Sequence, residues 1–265
     1  MPRIERAPQR STFALLDQIV TVLGGTKLSF WPFLSGIGTT TFPYGSGNDG
    51  ILLTASSAIE SILDPSQHVG GVHSLANDGT TSYLSAADNA NFSFGNGTVD
   101  APFSVGAWIM MHEAVGTQRA IMAKYRTDAV AALEWRFIFN TSGKLILGIY
   151  DDDAAANELA TSAGTALTPF VWQFAVATYD GGETAPVINI YLNGASVHDG
   201  TSVETGAYVA MEDLTGLLTI GHQNSPTPAT VFQGRIALPF LCGKELTAAE
   251  VATLYGLGRA LLGIG

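Results

Sequence analysis

The feature that most constrains the fold is a β-strand that leads into a capped helix near the end of the sequence. In residues 232–242 every second side chain is apolar or small, whereas Gln233 and Arg235 lie on the opposite face. A period of two is typical of a half-buried strand. This segment therefore predicts a sheet with one buried face.

A helix start follows this strand. Thr247 is a typical N-cap residue, and Glu250 stands three residues later, as in a capping box. Leu246 and Val251 have the spacing of a hydrophobic staple, and Gly256 is placed to end the helix. The spacing predicts a short C-terminal helix.

Composition favours a globular all-β protein. Of 265 residues 46% are apolar and only 13% are charged, and the formal net charge is -11. The length suits one large sandwich or two small domains. Nucleic acid is not expected as a partner, because its binding depends on clustered Lys and Arg. The single cysteine, Cys242, cannot form an intrachain disulfide and is predicted to pack in the core.

Turn signals divide the middle of the chain into hairpins. Asn193-Gly194 is a strong two-residue hairpin signal, and residues 140–143 predict a second turn that contains glycine. The strand-like segments before and between these turns are 103–109, 133–139, 144–150, 172–179 and 187–192. Such spacing predicts two antiparallel sheets packed as a sandwich.

Trp108 is a large aromatic residue on the face of its strand opposite to the apolar stripe. In this segment Phe103, Val105, Ala107 and Ile109 fall on one face of the strand, and Trp108 falls on the other. We therefore expect Trp108 on the opposite surface or at a sheet edge.

Several segments together resemble one known family. They are Asn-Asp-Gly-Thr-Thr-Ser-Tyr-Leu (77–84), Phe-Ser-Val-Gly-Ala-Trp-Ile (103–109), Trp-Gln-Phe-Ala-Val-Ala-Thr-Tyr-Asp-Gly (172–181), Ile-Asn-Ile-Tyr-Leu-Asn-Gly (188–194), Phe-Gln-Gly-Arg-Ile (232–236) and Leu-Thr-Ala-Ala-Glu-Val (246–251). The chain is thereby similar to the LamG-like (laminin G type) jelly rolls of the concanavalin A-like lectin/glucanase superfamily. The resemblance implies an all-β fold, a two-sheet antiparallel jelly-roll sandwich with a short N-terminal helix and a short C-terminal helix.

We divide the chain accordingly. Residues 1–24 are an N-terminal arm with an amphipathic helix, and residues 25–256 are the sandwich, in which 51–75 are a variable insertion. Residues 257–265 are an apolar tail that either covers the sandwich edge or binds a neighbouring protein.

The N-terminal helix carries an apolar stripe. Phe13, Leu16, Val20 and Leu23 recur at spacings of three and four residues, with glycines placed to end the helix. Either the helix folds back on its own domain, or the stripe docks onto another protein.

The sequence does not contain the catalytic pattern of glycan-cleaving relatives. Those enzymes place Glu-x-Asp-x-x-Glu on one strand, because an acid and a nucleophile must flank the glycosidic bond. The nearest match, residues 245–250, lacks the Asp and lies at the helix start. We therefore predict that the protein is not an enzyme.

Acidic residues suggest a calcium site. Asp151, Asp152 and Asp153 follow a strand, with Glu158 close behind, and carboxylates are the ligands that Ca²⁺ prefers. Calcium is the only cofactor for which the sequence makes a case. The alternative is a solvated acidic loop.

Aromatic residues suggest a sugar platform. The candidates are Trp135, Tyr150, Trp172 and Tyr179, all within strand patterns. The alternative is that these side chains pack in the core.

Two functions remain open. Domains of this kind without a catalytic pattern resemble those of bacteriophage virions, which predicts a non-catalytic structural virion protein, either capsid-decorating or tail-associated, with other virion proteins or itself as partners. The alternative is a carbohydrate-binding module, calcium-dependent or not, with cell-surface glycans as partners. Neither a signal peptide nor a run long enough for a membrane span is expected from the sequence, and localisation in the virion follows from the first reading.

Overall fold

The structure of the protein is a computed structural model. It describes residues 11–34, 40–41, 43–44, 53–55, 61–63, 72–127, 131–162, 167–182, 187–223 and 230–264. The helices are α1 (Thr12–Leu23) and α2 (Ala248–Leu262), and a 3₁₀ turn lies at Ala90–Phe92. The strands are β1 (Thr26–Phe30), β2 (Thr40–Thr41), β3 (Leu53–Ala55), β4 (Ser61–Leu63), β5 (His73–Asp78), β6 (Leu84–Ala86), β7 (Phe103–Met111), β8 (Arg119–Arg126), β9 (Ala132–Phe139), β10 (Leu145–Asp151), β11 (Ala156–Ser162), β12 (Gln173–Tyr179), β13 (Ile188–Leu192), β14 (Ala195–Ser196), β15 (His198–Thr205), β16 (Leu218–Ile220) and β17 (Gln233–Gly243).

The described strands form two antiparallel sheets. The eight-stranded sheet has the order β14-β13-β12-β7-β17-β5-β4, with β1 beside β17. The nine-stranded sheet has the order β15-β11-β10-β9-β8-β16-β6-β3-β2. The predicted two-sheet sandwich with a helix at each end of the chain is confirmed.

The described part of segment 51–75, which we interpreted as an insertion, belongs to both sheets. β3 and β4 lie within it, and β5 begins at His73. Strands of three residues pair through backbone hydrogen bonds and show no readable side-chain period. The sequence pattern therefore did not reveal them.

The inner faces of the sheets enclose the main core. Its largest fully buried aromatic side chains are Trp31, Phe33, Phe92, Phe103, Trp135, Phe137, Phe139 and Tyr179. The predicted hairpin turn at Asn193-Gly194 joins β13 to β14, and both residues have positive φ (53° and 82°). This is the backbone that an Asn-Gly turn adopts.

A second apolar cluster covers the outer face of the eight-stranded sheet. It joins α1 and α2 to β7, β12 and β17, and it includes Leu15, Leu16, Ile19, Leu23, Phe174, Phe240, Val251, Leu254 and Leu261. Cys242 lies here, as predicted for core packing, and burial raises the pKa of its thiol to about 12.

The expectation for Trp108 was wrong. Its side chain is only 1% exposed, and its ring lies 5.5 Å from that of Tyr255 on α2 and 5.4 Å from that of Phe174. Trp108 does face away from the main core, but the helices bury it. The outer face of the eight-stranded sheet therefore forms a second hydrophobic core with the helices.

The predicted start of α2 is confirmed, and its predicted end is wrong. Thr247 Oγ1 accepts a hydrogen bond from the Glu250 N–H, and the Glu250 carboxylate accepts one from the Thr247 N–H, which completes the capping box. The helix then continues through Gly256 to a left-handed cap at Gly263. A glycine inside a helix costs only about 1 kcal/mol, which burial of the following Leu261 offsets.

Most of the predicted tail, residues 257–265, is therefore helix on the sheet face. The described part of this segment neither covers a sandwich edge nor projects toward a neighbour. It packs in the second cluster.

The helix α1 was predicted correctly, and it folds back on its own domain. Leu16 and Leu23 are fully buried and Val20 is half-buried in the second cluster. Only Phe13, which is 59% exposed, remains free to dock elsewhere. The buried side of the helix is not available to a partner in this conformation.

Candidate functional site

The outer face of the nine-stranded sheet is not covered by either helix, since α1 and α2 both pack on the other sheet. Across its centre the paired residues Ala123, Arg136, Gly148, Leu159 and Val203 point outward. Their neighbours along each strand face the main core, and successive side chains alternate between faces. We call this surface the open face because no described helix packs on it, although Ala123, Tyr125 and Tyr150 near its centre are buried.

Two tyrosines and an arginine meet on this face. The rings of Tyr125 and Tyr150 lie edge to face, 4.9 Å apart. The guanidinium carbon of Arg136 lies 4.7 Å from the Tyr125 ring centroid and 5.3 Å from the Tyr150 centroid. Arg136 Nη1 donates to Gln223 Oε1 at 3.0 Å, which holds the guanidinium beside both rings.

Asn157 adjoins this group, because it pairs with Tyr150 across β10 and β11. We call Tyr125, Arg136, Tyr150, Asn157 and Gln223 the outer-face cluster.

Three polar atoms of the outer-face cluster are buried without a well-formed hydrogen bond among the described residues, and the contact between the Tyr150 hydroxyl and Arg136 is a weak one. They are Tyr150 Oη, Arg136 Nε and Asn157 Oδ1. Burial raises the pKa of the Tyr150 hydroxyl, and the nearby Arg136 charge opposes that rise. An unpaired buried polar group costs about 1–3 kcal/mol. A ligand that supplies the missing partners recovers this free energy.

A neighbouring cation in the same sheet, Lys124, has partners for its buried charge. Lys124 is fully buried, and its ammonium donates to the Glu134 carboxylate and to the Leu214 carbonyl. Asp88 Oδ1 lies 3.0 Å from the same nitrogen. Burial raises the pKa of Glu134 to about 7, and Lys124 opposes the rise. Arg136 has no such acidic partner among the described residues.

A second aromatic pair lies beside the outer-face cluster. The rings of Tyr83 and His222 stack with centroids 4.5 Å apart. Thr219 Oγ1 donates to the His222 carbonyl at 2.5 Å, so residue 222 and the adjoining Gln223 stay close to β16. Burial lowers the pKa of His222 to about 4, which leaves the ring neutral.

The predicted sugar platform is not assembled. Trp135 and Tyr179 are fully buried in the main core, where Trp135 Nε1 donates to the Phe92 carbonyl and the Tyr179 hydroxyl donates to Asp100. Trp172 packs against the second cluster on the other sheet. Tyr150 alone lies on the open face, and it is only 6% exposed.

The predicted calcium ligands serve as turn residues. The Asp151 carboxylate accepts hydrogen bonds from the N–H groups of Ala154 and Val209. The N–H groups of Asp152 and Asp153 instead donate to the Glu212 carboxylate.

Glu158 lies one strand away, opposite Glu204. Burial and then the Glu204 charge raise the pKa of Glu158, and Ser202 opposes the rise. Within the described ranges no three His, Cys, Asp or Glu side chains form a group that could hold a metal ion.

Sequence reasoning missed Tyr125, Arg136 and Gln223. The signal for Arg136 was present, because it alternates with the apolar residues Trp135 and Phe137 in a predicted strand. Tyr125 and Gln223 come from β8 and from the turn after β16, which are far apart in sequence. Only strand order brings them to one place.

Comparison with known proteins identifies the fold. Residues 78–252 match the Laminin_G_3 family, described as the concanavalin A-like lectin/glucanases superfamily. No curated protein matches. No helix in the described ranges has both the length and the apolar character needed to cross a membrane.

Solved structures agree at low sequence identity. The binding domain of Paraclostridial Mosquitocidal Protein 1 superposes with a TM-score of 0.61 at 11% identity, covering 88% of this chain and 52% of that one. The receptor-binding domain of botulinum neurotoxin type G gives 0.56 at 14% identity, over 87% and 51%. A Trypanosoma rangeli sialidase in complex with sialic acid gives 0.59 at 13% identity, over 89% and 33%.

The chain thus spans between a third and about half of the length of these proteins. At such identities the likeness concerns the fold alone. The family match covers well over half of the sequence and includes the strands of both sheets on which the open face depends. The chain therefore belongs to the Laminin_G_3 family of the concanavalin A-like lectin/glucanases superfamily.

Proposed function

We propose that the protein is a non-catalytic carbohydrate-binding module that binds glycans on the open face of its nine-stranded sheet. The observation that carries the proposal is the outer-face cluster, with its two tyrosine rings and three buried polar atoms without well-formed hydrogen bonds. Ligand sites commonly combine aromatic walls with a few convergent polar groups. Sugars present apolar C–H faces and hydroxyl groups, so they match both parts of such a site.

The similar structures support this proposal without carrying it. A botulinum neurotoxin DC binding domain is solved in complex with SialylT, and a sialidase is solved with sialic acid. These ligands are properties of those proteins. For this chain they support the proposal only as far as the shared fold extends.

The test is a glycan array with wild-type protein and with Tyr150→Phe, in calcium and in chelator. Tyr150→Phe removes one buried oxygen without a well-formed hydrogen bond and keeps the ring. We expect it to lose roughly tenfold in glycan affinity while its melting temperature changes little, because the hydroxyl makes only a weak contact with Arg136 inside the protein. We expect chelator to change nothing, since Asp151 already accepts two backbone hydrogen bonds.

The matched control is Tyr255→Phe, because Tyr255 stacks on Trp108 under the other sheet face. This variant should bind like the wild type. Absence of binding by the wild-type protein on a broad array, or equal losses in both variants, would contradict the proposal.

The virion role remains a second candidate, and it rests on one specific observation. Phe13 is 59% exposed on α1, although the rest of that helix face is buried. As a structural protein of a bacteriophage particle, the chain would use this side chain to contact a second copy or another virion protein.

Light scattering of wild type and Phe13→Ser would test the contact. A concentration-dependent oligomer that Phe13→Ser dissociates is the expected result. A monomer for both proteins, together with no binding to purified phage particles, would contradict it.

A further inference from the structure

The charge of Arg136 has no counterpart on the open face. Its guanidinium lies beside the Tyr125 and Tyr150 rings, and the Gln223 amide accepts one of its hydrogen bonds. No acidic side chain forms an ion pair with it within the described part of the chain. Arg136 is half-buried, so part of its charge has lost water without gaining an anion.

Other cations in the same sheet are treated differently. Arg119 forms a two-pronged pair with Glu113, at 2.6 and 2.9 Å. Lys124 is held by Glu134 and Asp88. The chain carries 23 acidic residues against 12 basic ones, so acids for pairing are plentiful. Arg136 differs from Arg119 and Lys124, because it has no described acidic partner and lies beside buried polar atoms without well-formed hydrogen bonds.

We propose that the outer-face cluster selects sugars that carry a carboxylate, and that Arg136 is the residue that recognises the carboxylate group. This inference rests on the proposed carbohydrate-binding function. A carboxylate is planar and matches the donor edge of a guanidinium, and such charge-assisted hydrogen bonds are about twice as strong as neutral ones.

The overall charge makes this selection specific. At a formal net charge of -11 the protein repels anionic ligands from most of its surface. An acidic sugar that binds must therefore find a local positive site. Uronic acids and sialic acids share the required group, and the experiment separates them.

The decisive experiment is isothermal titration of the full chain with matched oligosaccharides. The probes are a glucuronate-terminated and a sialate-terminated oligosaccharide, each compared with the same molecule after reduction of the carboxyl group to an alcohol, and a sulfated neutral oligosaccharide. We expect at least one acidic sugar to bind roughly 10–100-fold more tightly than its reduced form. Which of the two binds identifies the source of the carboxylate.

Arg136→Gln should abolish that preference, so that the variant binds the acidic sugar and its reduced form with equal affinity. Arg136→Lys should restore it only in part, because an ammonium lacks the planar donor edge. Arg259→Gln is the matched control: Arg259 also lies over a tyrosine, 5.5 Å from the Tyr255 centroid, but on α2. It should keep the wild-type preference.

The outcomes separate the two proposals. Equal affinity for acidic and reduced sugars, or preference for the sulfated probe alone, overturns the inference and leaves carbohydrate binding intact. Binding of no glycan overturns both. Circular dichroism and melting curves on each variant establish that a loss of binding is not a loss of folding.

Discussion

The two outer faces of the sandwich differ in whether helices cover them. The outer face of the eight-stranded sheet is covered by α1 and α2, and side chains such as Trp108 and Phe240 are buried there. The outer face of the nine-stranded sheet carries only a small cluster around Tyr125 and Tyr150. One face stabilises the fold, and the other is the surface that we propose for contact with a ligand.

The difference shows in how polar atoms are treated. At the entry to α2, Thr247 and Glu250 satisfy each other through a capping box, and Lys244 pairs with Glu250. Trp108 Nε1 on the covered face has no described partner, whereas the open face gathers three such atoms, on Arg136, Tyr150 and Asn157, in one cluster. Native proteins pair most buried polar groups, so an exception in a site suggests a role outside folding.

The largest effect should come from removing the central side chain of the covered face. We expect Trp108→Ala to lower the free energy of unfolding by about 3–5 kcal/mol, because it leaves a cavity under α2. Denaturant unfolding measures this. Val203→Ala on the open face is the control: Val203 is 61% exposed, so we expect a change within about 0.5 kcal/mol. Similar losses in both variants would mean that the faces do not differ in this way.

A smaller effect should distinguish two glycines of α2. A Cβ at Gly258 would lie 2.1 Å from Trp108 Nε1, whereas one at Gly256 would meet nothing within 4 Å. We expect Gly258→Ala to destabilise by roughly 1–3 kcal/mol through overpacking. Gly256→Ala should stabilise by roughly 0.5–1 kcal/mol, since alanine is the better helix former. Thermal melts of the two variants give the sign directly, and a shift in the same direction for both would contradict the close helix–sheet contact.

The effect of pH should sharpen the picture of the open face. Burial lowers the pKa of His222 to about 4 from an ordinary 6.5, so the folded protein holds the ring neutral while the unfolded chain accepts a proton. The contribution of His222 to the free energy of unfolding is therefore fully present above pH 6.5, and it is lost as the pH falls toward 4. We expect a loss on the order of 2 kcal/mol over that window.

His222→Phe retains a ring against Tyr83 and should flatten this part of the stability curve. Urea midpoints at several pH values compare the two proteins. If the variant loses stability between pH 6.5 and 4 as steeply as the wild type, His222 is not the group responsible.

The sequence predicted the fold well because its signals are local. The capping box at Thr247, the Asn193-Gly194 turn and the alternation in β17 each depend on residues within one element. What covers a sheet face is not local, so the burial of Trp108 under α2 and the length of α2 beyond Gly256 were missed.

The candidate site was predicted less well for the same reason. Aromatic residues in strands are informative only when their face is known, and Trp135 and Tyr179 proved to point inward. The outer-face cluster joins β8, β9, β10, β11 and the turn after β16. That combination depends on strand order, which no short motif encodes.

The most direct test of the central claim is hydrogen–deuterium exchange of the wild-type protein with and without a saturating carboxylate-bearing glycan. We predict that the glycan slows exchange in peptides from β9, β10 and the turn that contains Gln223, and that it leaves α1 and α2 unchanged. Protection confined to the two helices, or none in β9 and β10 despite saturation, would contradict the assignment of ligand binding to the open face.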